Sequence, residues 1–201
     1  DEWKDDPDMI GDVMRFLDNV LSDFINKAPE QFKDAKYSAE RERSVGLGVM
    51  GFHSFLQKKR IPLESVMSKS WNKKIFKNIH EKVNQASKDL AEERGACPDA
   101  AEYGFKERFS NKTAIAPTAS ISIICGGASP GVEPIAANSY THKTLSGSFN
   151  VRNRYLEEIL ESHGKNDDET WSTITTNQGS VSHLDFLTDL EKDVFKTAFE
   201  L

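Results

Sequence analysis

Apolar residues recur along much of the chain at helical rather than strand spacing. Ile10, Val13, Met14, Leu17, Val20, Leu21 and Phe24 lie three or four positions apart, which predicts a helix with one buried face. Asp6 is placed to cap it, and Pro7 suits its first turn. A longer helix is predicted from Ser70 to Arg94, with Trp71, Ile75, Ile79, Val83, Ala86 and Leu90 on one side and Gly95 at its end. Tyr155 to Ser162 reads as a short amphipathic helix stopped by Gly164. The last helix opens with Thr188 and Glu191 at capping-box spacing and carries Leu190, Val194, Ala198 and Leu201 on one face.

Between these segments the pattern is polar or broken. A charged connection follows Pro29 as far as Arg43, and "SVGLGVMGFHSFLQ" reads as a glycine-rich strand or turn entering a short helix. Pro98 forbids simple continuation of the long helix. Thr113 to Ala116 is expected to be a short buried strand ending at Pro117. "GGASPGVEPIAAN" at 126–138 must be loop, and "KNDDE" a solvated turn. The chain starts at Asp1 and its last apolar stripe reaches the C-terminus without a stop signal. Residues 1–201 are therefore expected to be a piece of a longer protein, one partial domain with no complete boundary.

Composition narrows the function classes. The 201 residues suffice for a sizeable core. A formal net charge of -6 with both signs interspersed argues against a nucleic-acid partner, and Lys58-Lys59-Arg60 is too short a basic run to change that. Two cysteines, Cys97 and Cys125, exclude a disulfide scaffold and any multi-cysteine zinc site built from this chain alone. A reducing, cytoplasmic setting is the expectation. No apolar run approaches the ~20 residues that span a bilayer, and the acidic "DEWKDDPDMI" is unlike a secretory signal, so no membrane partner is expected.

Isolated motifs mostly resolve into structure. Gly46, Gly48 and Gly51 satisfy G-x-G-x-x-G, but "YSAERER" precedes them in place of a hydrophobic strand. They are read as glycines for a tight turn and close packing rather than a dinucleotide fingerprint. His53, His80, His142, His163 and His183 show no ligand spacing, and no metal site is assigned. His53, beside Phe52 and Phe55, is expected to be packed. Cys97 and Cys125 lack an activating neighbour and read as buried or semi-buried structural thiols. Glu133, in a loop otherwise free of charge, is expected to be buried, either held structurally or lining a site.

The stretch "AIAPTASISIICGG" leaves two readings open. Thr118 to Ile121 can begin a buried helix, where unpaired N–H groups and the hydroxyls of Thr118 and Ser120 converge on a phosphate without needing a lysine. Alternatively, Ser120 to Cys125 forms a buried strand, since Ile-Ser-Ile-Ile has strand propensity.

In its surroundings this stretch resembles the large, catalytic subunit of class I ribonucleotide reductases. The resemblance rests on "APTAS", "GVEP" and "YTHKTLSGSFNVRNRYLEEIL", with "RERSVGLGVMGFHSFL" and "LAEERGACPD" upstream. It implies a helix-rich α/β fragment of that family's ten-stranded α/β barrel, the C-terminal part of the barrel domain. It also implies that Thr118, Ala119, Ser120 and Ile121 bind the substrate phosphates. Many relatives have a hydroxyl residue where Ile121 stands, which leaves that position only its N–H; whether Ser122 compensates stays open.

The family's thiyl-radical loop of Asn-x-Cys-x-Glu type is not in this sequence, and Cys97 and Cys125 match none of its reactive cysteines. The segment is therefore expected to carry no catalytic residue and no cofactor, and to be inactive alone. The implied parent reduces ribonucleoside diphosphates for deoxyribonucleotide synthesis and DNA replication. It is a homodimer that draws a radical from a separate metal-containing small subunit. Its implied partners here are the diphosphate substrate, the rest of the large subunit and the small subunit. Two alternatives remain: a cobalamin-dependent reductase of the same barrel, which usually has glycine after the threonine, and a non-catalytic assembly half of a split reductase.

Overall fold

Helices carry most of the structured residues, as the apolar spacing predicts. The computed structural model describes residues 6–144 and 147–201. Residues 1–5 of the acidic N-terminus, and Leu145 and Ser146 of "YTHKTLSGSF", lie outside them. The order is α1 (Met9–Lys27), a 3-10 turn (Glu30–Phe32), α2 (Lys33–Glu42), α3 (Phe52–Lys58), α4 (Val66–Arg94), α5 (Pro98–Glu102) and α6 (Ala119–Ile124). A hairpin follows, β1 (Ser139–Thr144) and β2 (Gly147–Arg152), then α7 (Arg154–Ser162), α8 (Asp168–Thr176) and α9 (Asp189–Val194). Among the described residues, extended structure comprises this antiparallel pair and one parallel bridge, Leu47 to Thr113. The class is the helix-rich α/β one expected.

Two compact units share the chain: Asp1–Gly48 with Asn72–Ile115, and Val49–Trp71 with Ala116–Leu201. In the first, Ile10 and Met14 of α1 meet Val83, Ala86 and Leu90 of α4 and Phe109. Leu17 packs partly buried against this cluster and Leu21 is half-buried, whereas Val13, Val20 and Phe24 depart from expectation and are exposed, together with Met9 and Phe16. The helix buries Asp18 instead. Its Oδ1 accepts from Arg43 Nη2 at 2.7 Å and Arg108 Nε at 2.9 Å, and its Oδ2 accepts from Arg94 Nη1 at 2.8 Å. Three guanidiniums around one carboxylate pull α1 inward at this turn.

The charged connection after Pro29 is also a correction, because Lys33–Glu42 is helical. Its i,i+4 pairs, Ser38 to Glu42 and Lys36 to Glu40, stabilise a helix with no buried residue of its own. The glycine segment behaves as read. A Cβ on Gly46 would lie 2.8 Å from Ala114 Cβ, and one on Gly48 2.8 Å from Ala114 O. The chain thus approaches closely enough for Leu47 N–H to donate to Lys112 O and Ala114 N–H to Leu47 O. Thr113 to Ala116 is exposed rather than a buried strand. Gly51, at φ +80°, turns the backbone into α3.

The second unit packs Leu156, Ile159 and Leu160 of α7 against Trp171 and Ile174 of α8, with Val181, Leu184, Leu187, Val194 and Phe195. "KNDDE" is only half a turn: Asp167 caps α8 by accepting from Thr170 N–H, and Asp168 and Glu169 form its first turn. Acidic residues there complement the positive helix end. At the last helix the Thr188–Glu191 capping box is present, but α9 stops at Val194 and Leu190 is exposed. Ala198 N–H instead donates to Ile135 O, drawing the chain out of helical register.

Candidate functional site

Pro117 has no N–H and Thr118 is left-handed at φ 51°, ψ 27°, so the chain turns sharply before α6. A threonine rarely adopts that conformation. It is tied down here: Gly131 N–H donates to Thr118 Oγ1 at 2.8 Å, and Ser122 N–H to Thr118 O at 2.9 Å. Gly131 itself has a positive φ, and a Cβ on it would sit 2.9 Å from Ala116 O, so the 126–138 loop seats directly on the 116–118 turn. Of the two readings of "TASISII", the helix is the one observed; the strand from Ser120 to Cys125 is not.

The first turn of α6 leaves the N–H groups of Ala119, Ser120 and Ile121 without intrahelical acceptors, as every helix start does. Ala119, Ser120 and Ile121 are exposed, and Thr118 is half-buried. The structure therefore brings all four predicted positions into one accessible turn. Ser122 does not substitute for a hydroxyl at 121, because it is buried and its Oγ donates back to Ala119 O at 3.1 Å. The helix does not run inside this chain, since Ile121, Ile123 and Ile124 are all exposed.

Neighbouring groups are fixed without reactive chemistry. His53 is buried, and its Nδ1 accepts from Ile135 N–H at 3.0 Å; burial pushes its pKa down to about 4. The ring is neutral at pH 7, as the packed reading of His53 requires. Ser54 and Ser129 exchange hydrogen bonds, Ser54 N–H to Ser129 Oγ at 3.1 Å and Ser129 N–H to Ser54 Oγ at 2.8 Å, which staples α3 to the loop. Glu133 is exposed rather than buried, held at its backbone by a turn from Glu133 N–H to Pro130 O. Cys97 is fully buried as expected, whereas Cys125 is exposed because α6 ends before it. No group of three or more His, Cys, Asp or Glu side chains is arranged to hold a metal ion among the described residues. Among them, too, no helix is long and apolar enough to cross a membrane.

The comparisons with known proteins cover both units. The family model described as "Ribonucleotide reductase, barrel domain" matches residues 2–107 and 99–201. This chain belongs to the ribonucleotide reductase barrel-domain family. It is 48% identical over 205 residues to the ribonucleoside-diphosphate reductase large subunit of Invertebrate iridescent virus 6, covering 100% of this chain and 21% of the relative. A vitamin B12-dependent ribonucleoside-diphosphate reductase of Thermoplasma acidophilum is 34% identical over 93% of this chain and 24% of its own length. Among solved structures, the Actinobacillus ureae class Id ribonucleotide reductase alpha subunit superposes with a TM-score of 0.88 at 40% identity, over 98% of this chain and 36% of that one. The chain thus spans between about a fifth and a third of the length of these reductases.

Within this reductase segment, sequence reasoning missed the residues that position the turn. Gly131 and the Ser54–Ser129 pair lie far from Thr118 in sequence. The available signal was the loop's unusual wealth of glycine and proline around a single acidic residue. The hairpin after it was also missed, because β2 is exposed on both faces and shows no alternation.

Proposed function

We propose that the chain is part of the large subunit of a ribonucleoside-diphosphate reductase and supplies the turn that holds the substrate's phosphates. The observation that supports this reading is the left-handed Thr118 leading into α6, braced by Gly131 and followed by exposed residues at 119 to 121. In this reading the N–H groups of Ala119, Ser120 and Ile121 donate to phosphate oxygens, and Ser120 Oγ adds a further donor. Fixed amides at a helix start favour an anion without a cationic side chain. Ile121 contributes only its N–H. The radical chemistry and its cysteines belong to other parts of the large subunit. The radical comes from a metal-containing small subunit, in a cytoplasmic homodimeric enzyme. With Ala119 after the threonine, the turn favours this class I reading over the cobalamin-dependent one.

The test is binding of a ribonucleoside diphosphate to the complete large subunit. Ser120→Asp places a negative charge on the turn at an exposed position and is expected to abolish binding with the circular dichroism spectrum unchanged. Ser120→Ala, which keeps the backbone donors, is expected to weaken binding only partially, by about 10- to 150-fold, the order of one hydrogen bond to a charged group. Unchanged affinity in Ser120→Asp sinks the assignment.

A further inference from the structure

The stretch from Ser129 to Ile135 forms an arch with both feet on α3. At one foot Gly51 N–H donates to Ser129 O at 2.8 Å, Ser54 N–H to Ser129 Oγ and Ser129 N–H to Ser54 Oγ. At the other, Ile135 N–H donates to His53 Nδ1 at 3.0 Å. Between the feet lies Gly131, whose N–H donates to Thr118 Oγ1 at 2.8 Å. We infer that His53 is a positioning residue for the turn at Thr118, acting through Ile135 and Gly131 to hold Thr118 in its left-handed conformation. The inference takes its functional consequence from the phosphate reading, while the coupling of His53 to the turn stands on geometry alone.

The arch has little slack. Glu133 N–H donates to Pro130 O at 3.1 Å, closing a turn within it, and Pro130 and Pro134 each fix a backbone φ. Gly131 is buried, with Ala116 O only 2.9 Å from where its Cβ would lie, so a shift of either foot drives Gly131 into the turn or draws it away. Thr118, at φ 51°, occupies a region that a β-branched residue keeps only when its surroundings hold it there. The hydrogen bond from Gly131 is the one its hydroxyl makes among the described residues.

His53 is itself firmly seated. It is 1% exposed, on a helix that also buries Phe52, Ser54, Leu56 and Gln57. Gln57 Oε1 accepts from Asn153 Nδ2 at 3.0 Å, which ties the same helix to the N-cap of α7. Burial keeps the imidazole neutral, and since Nδ1 accepts, the ring's proton is on Nε2. A neutral ring in this tautomer offers Ile135 a fixed acceptor. The carbonyl of Ile135 accepts from Ala198 N–H at 2.8 Å, so the foot is held from two sides, the N–H by His53 and the C=O by Ala198. Removing the acceptor on α3 frees the N–H side of this foot.

Two amide substitutions separate the acceptor from the bulk of the ring. His53→Asn puts a carbonyl oxygen near the place of Nδ1, and His53→Gln carries it one bond further, towards the place of Nε2. Both are made in the complete large subunit and titrated with whichever of ADP, CDP, GDP and UDP the parent binds best. His53→Gln is expected to weaken the affinity at least about fivefold, and His53→Asn to stay within about twofold of the parent. Hydrogen exchange without nucleotide is expected to speed up at 129–135 and at 117–122 in His53→Gln, and at neither in His53→Asn. Circular dichroism and thermal unfolding establish that each variant is folded; should His53→Gln not fold, His53→Leu is read in the same way. A role confined to packing would lower the melting temperature and leave both the affinity and the exchange at 117–122 at parental values, which overturns the inference. Equal weakening in His53→Asn and His53→Gln also overturns it. Parental affinity in Ser120→Asp, with faster exchange at 117–122 in His53→Gln, upholds the positioning of the turn and sinks the phosphate reading alone.

Discussion

Asp18 is the residue at which the sequence pattern and the structure part most sharply. It sits on the apolar side of α1, fully buried. Burial alone would raise its pKa, but hydrogen bonds from Arg108, Arg43 and Arg94 outweigh that and hold it below the ordinary carboxylate range. A depressed pKa means the cluster stabilises the fold above the unfolded-state value and loses that contribution only as pH falls through the folded one. Asp18→Asn leaves three guanidiniums facing a neutral amide, and is expected to cost about 3–5 kcal/mol in urea unfolding at pH 7. His53 carries the opposite titration. With its folded pKa near 4 against an ordinary value of 6.5, the unfolded chain binds the extra proton, so stability declines as pH drops from about 6.5 towards 4. In His53→Gln the slope of unfolding free energy across that window should be shallower than in the parent chain. An identical slope would mean that the ring is not held neutral.

At the scale of elements, what was legible depended on whether local chemistry or distant packing decided the outcome. α4, α7 and the start of α9 were readable because their stripes and caps lie within a few residues: Gly95 at φ +89°, Asn153 accepting from Tyr155 N–H, Thr188 with Glu191. The four candidate positions at 118–121 were nameable from the sequence, yet composition left helix and strand balanced. Gly131, thirteen residues on, holds the turn. α2 escaped because it has no apolar stripe, and α8 because it buries only Trp171 and Ile174 as large apolar residues, set among threonines, too few for a helical stripe. Gly179, just past α8, shows how tight the distant packing is. At φ +82°, a Cβ there would fall 2.3 Å from Ala137 Cβ, while its carbonyl accepts from both Asn138 N–H and Asn138 Nδ2. Gly179→Ala is expected to destabilise by more than about 2 kcal/mol, since neither the backbone conformation nor the space admits a methyl group. Thermal unfolding of that variant checks it, and a shift within about 1 °C would show that the loop gives way.

The molecule as a whole leaves large apolar side chains in water. Met9, Val13, Phe16, Val20 and Phe24 project from α1, and Ile121, Ile123 and Ile124 from α6. Monomeric soluble proteins rarely expose such continuous apolar faces. The chain is therefore expected to self-associate at rising concentration, and the double substitution Phe16→Lys with Val20→Lys to reduce that association. Sedimentation velocity compares the two directly, and equal sedimentation at all concentrations would show that the α1 stripe takes no part.

The interleaved composition of the two units sets the order in which the chain can fold as it is synthesised. The first unit is incomplete until the ribosome has released Ile115, and the second cannot enclose Val49–Trp71 until residues beyond 116 have emerged. Phe52 and Leu56, buried in the finished fold, must wait through the synthesis of all of α4 and everything up to the 126–138 loop. The first unit can therefore complete before the second, but only with Val49–Trp71 looped out between its two stretches while the rest of the second unit is not yet made. A nascent chain paused between residues 58 and 115 would carry α3 as a sticky, unpartnered segment and would be a natural client for chaperones.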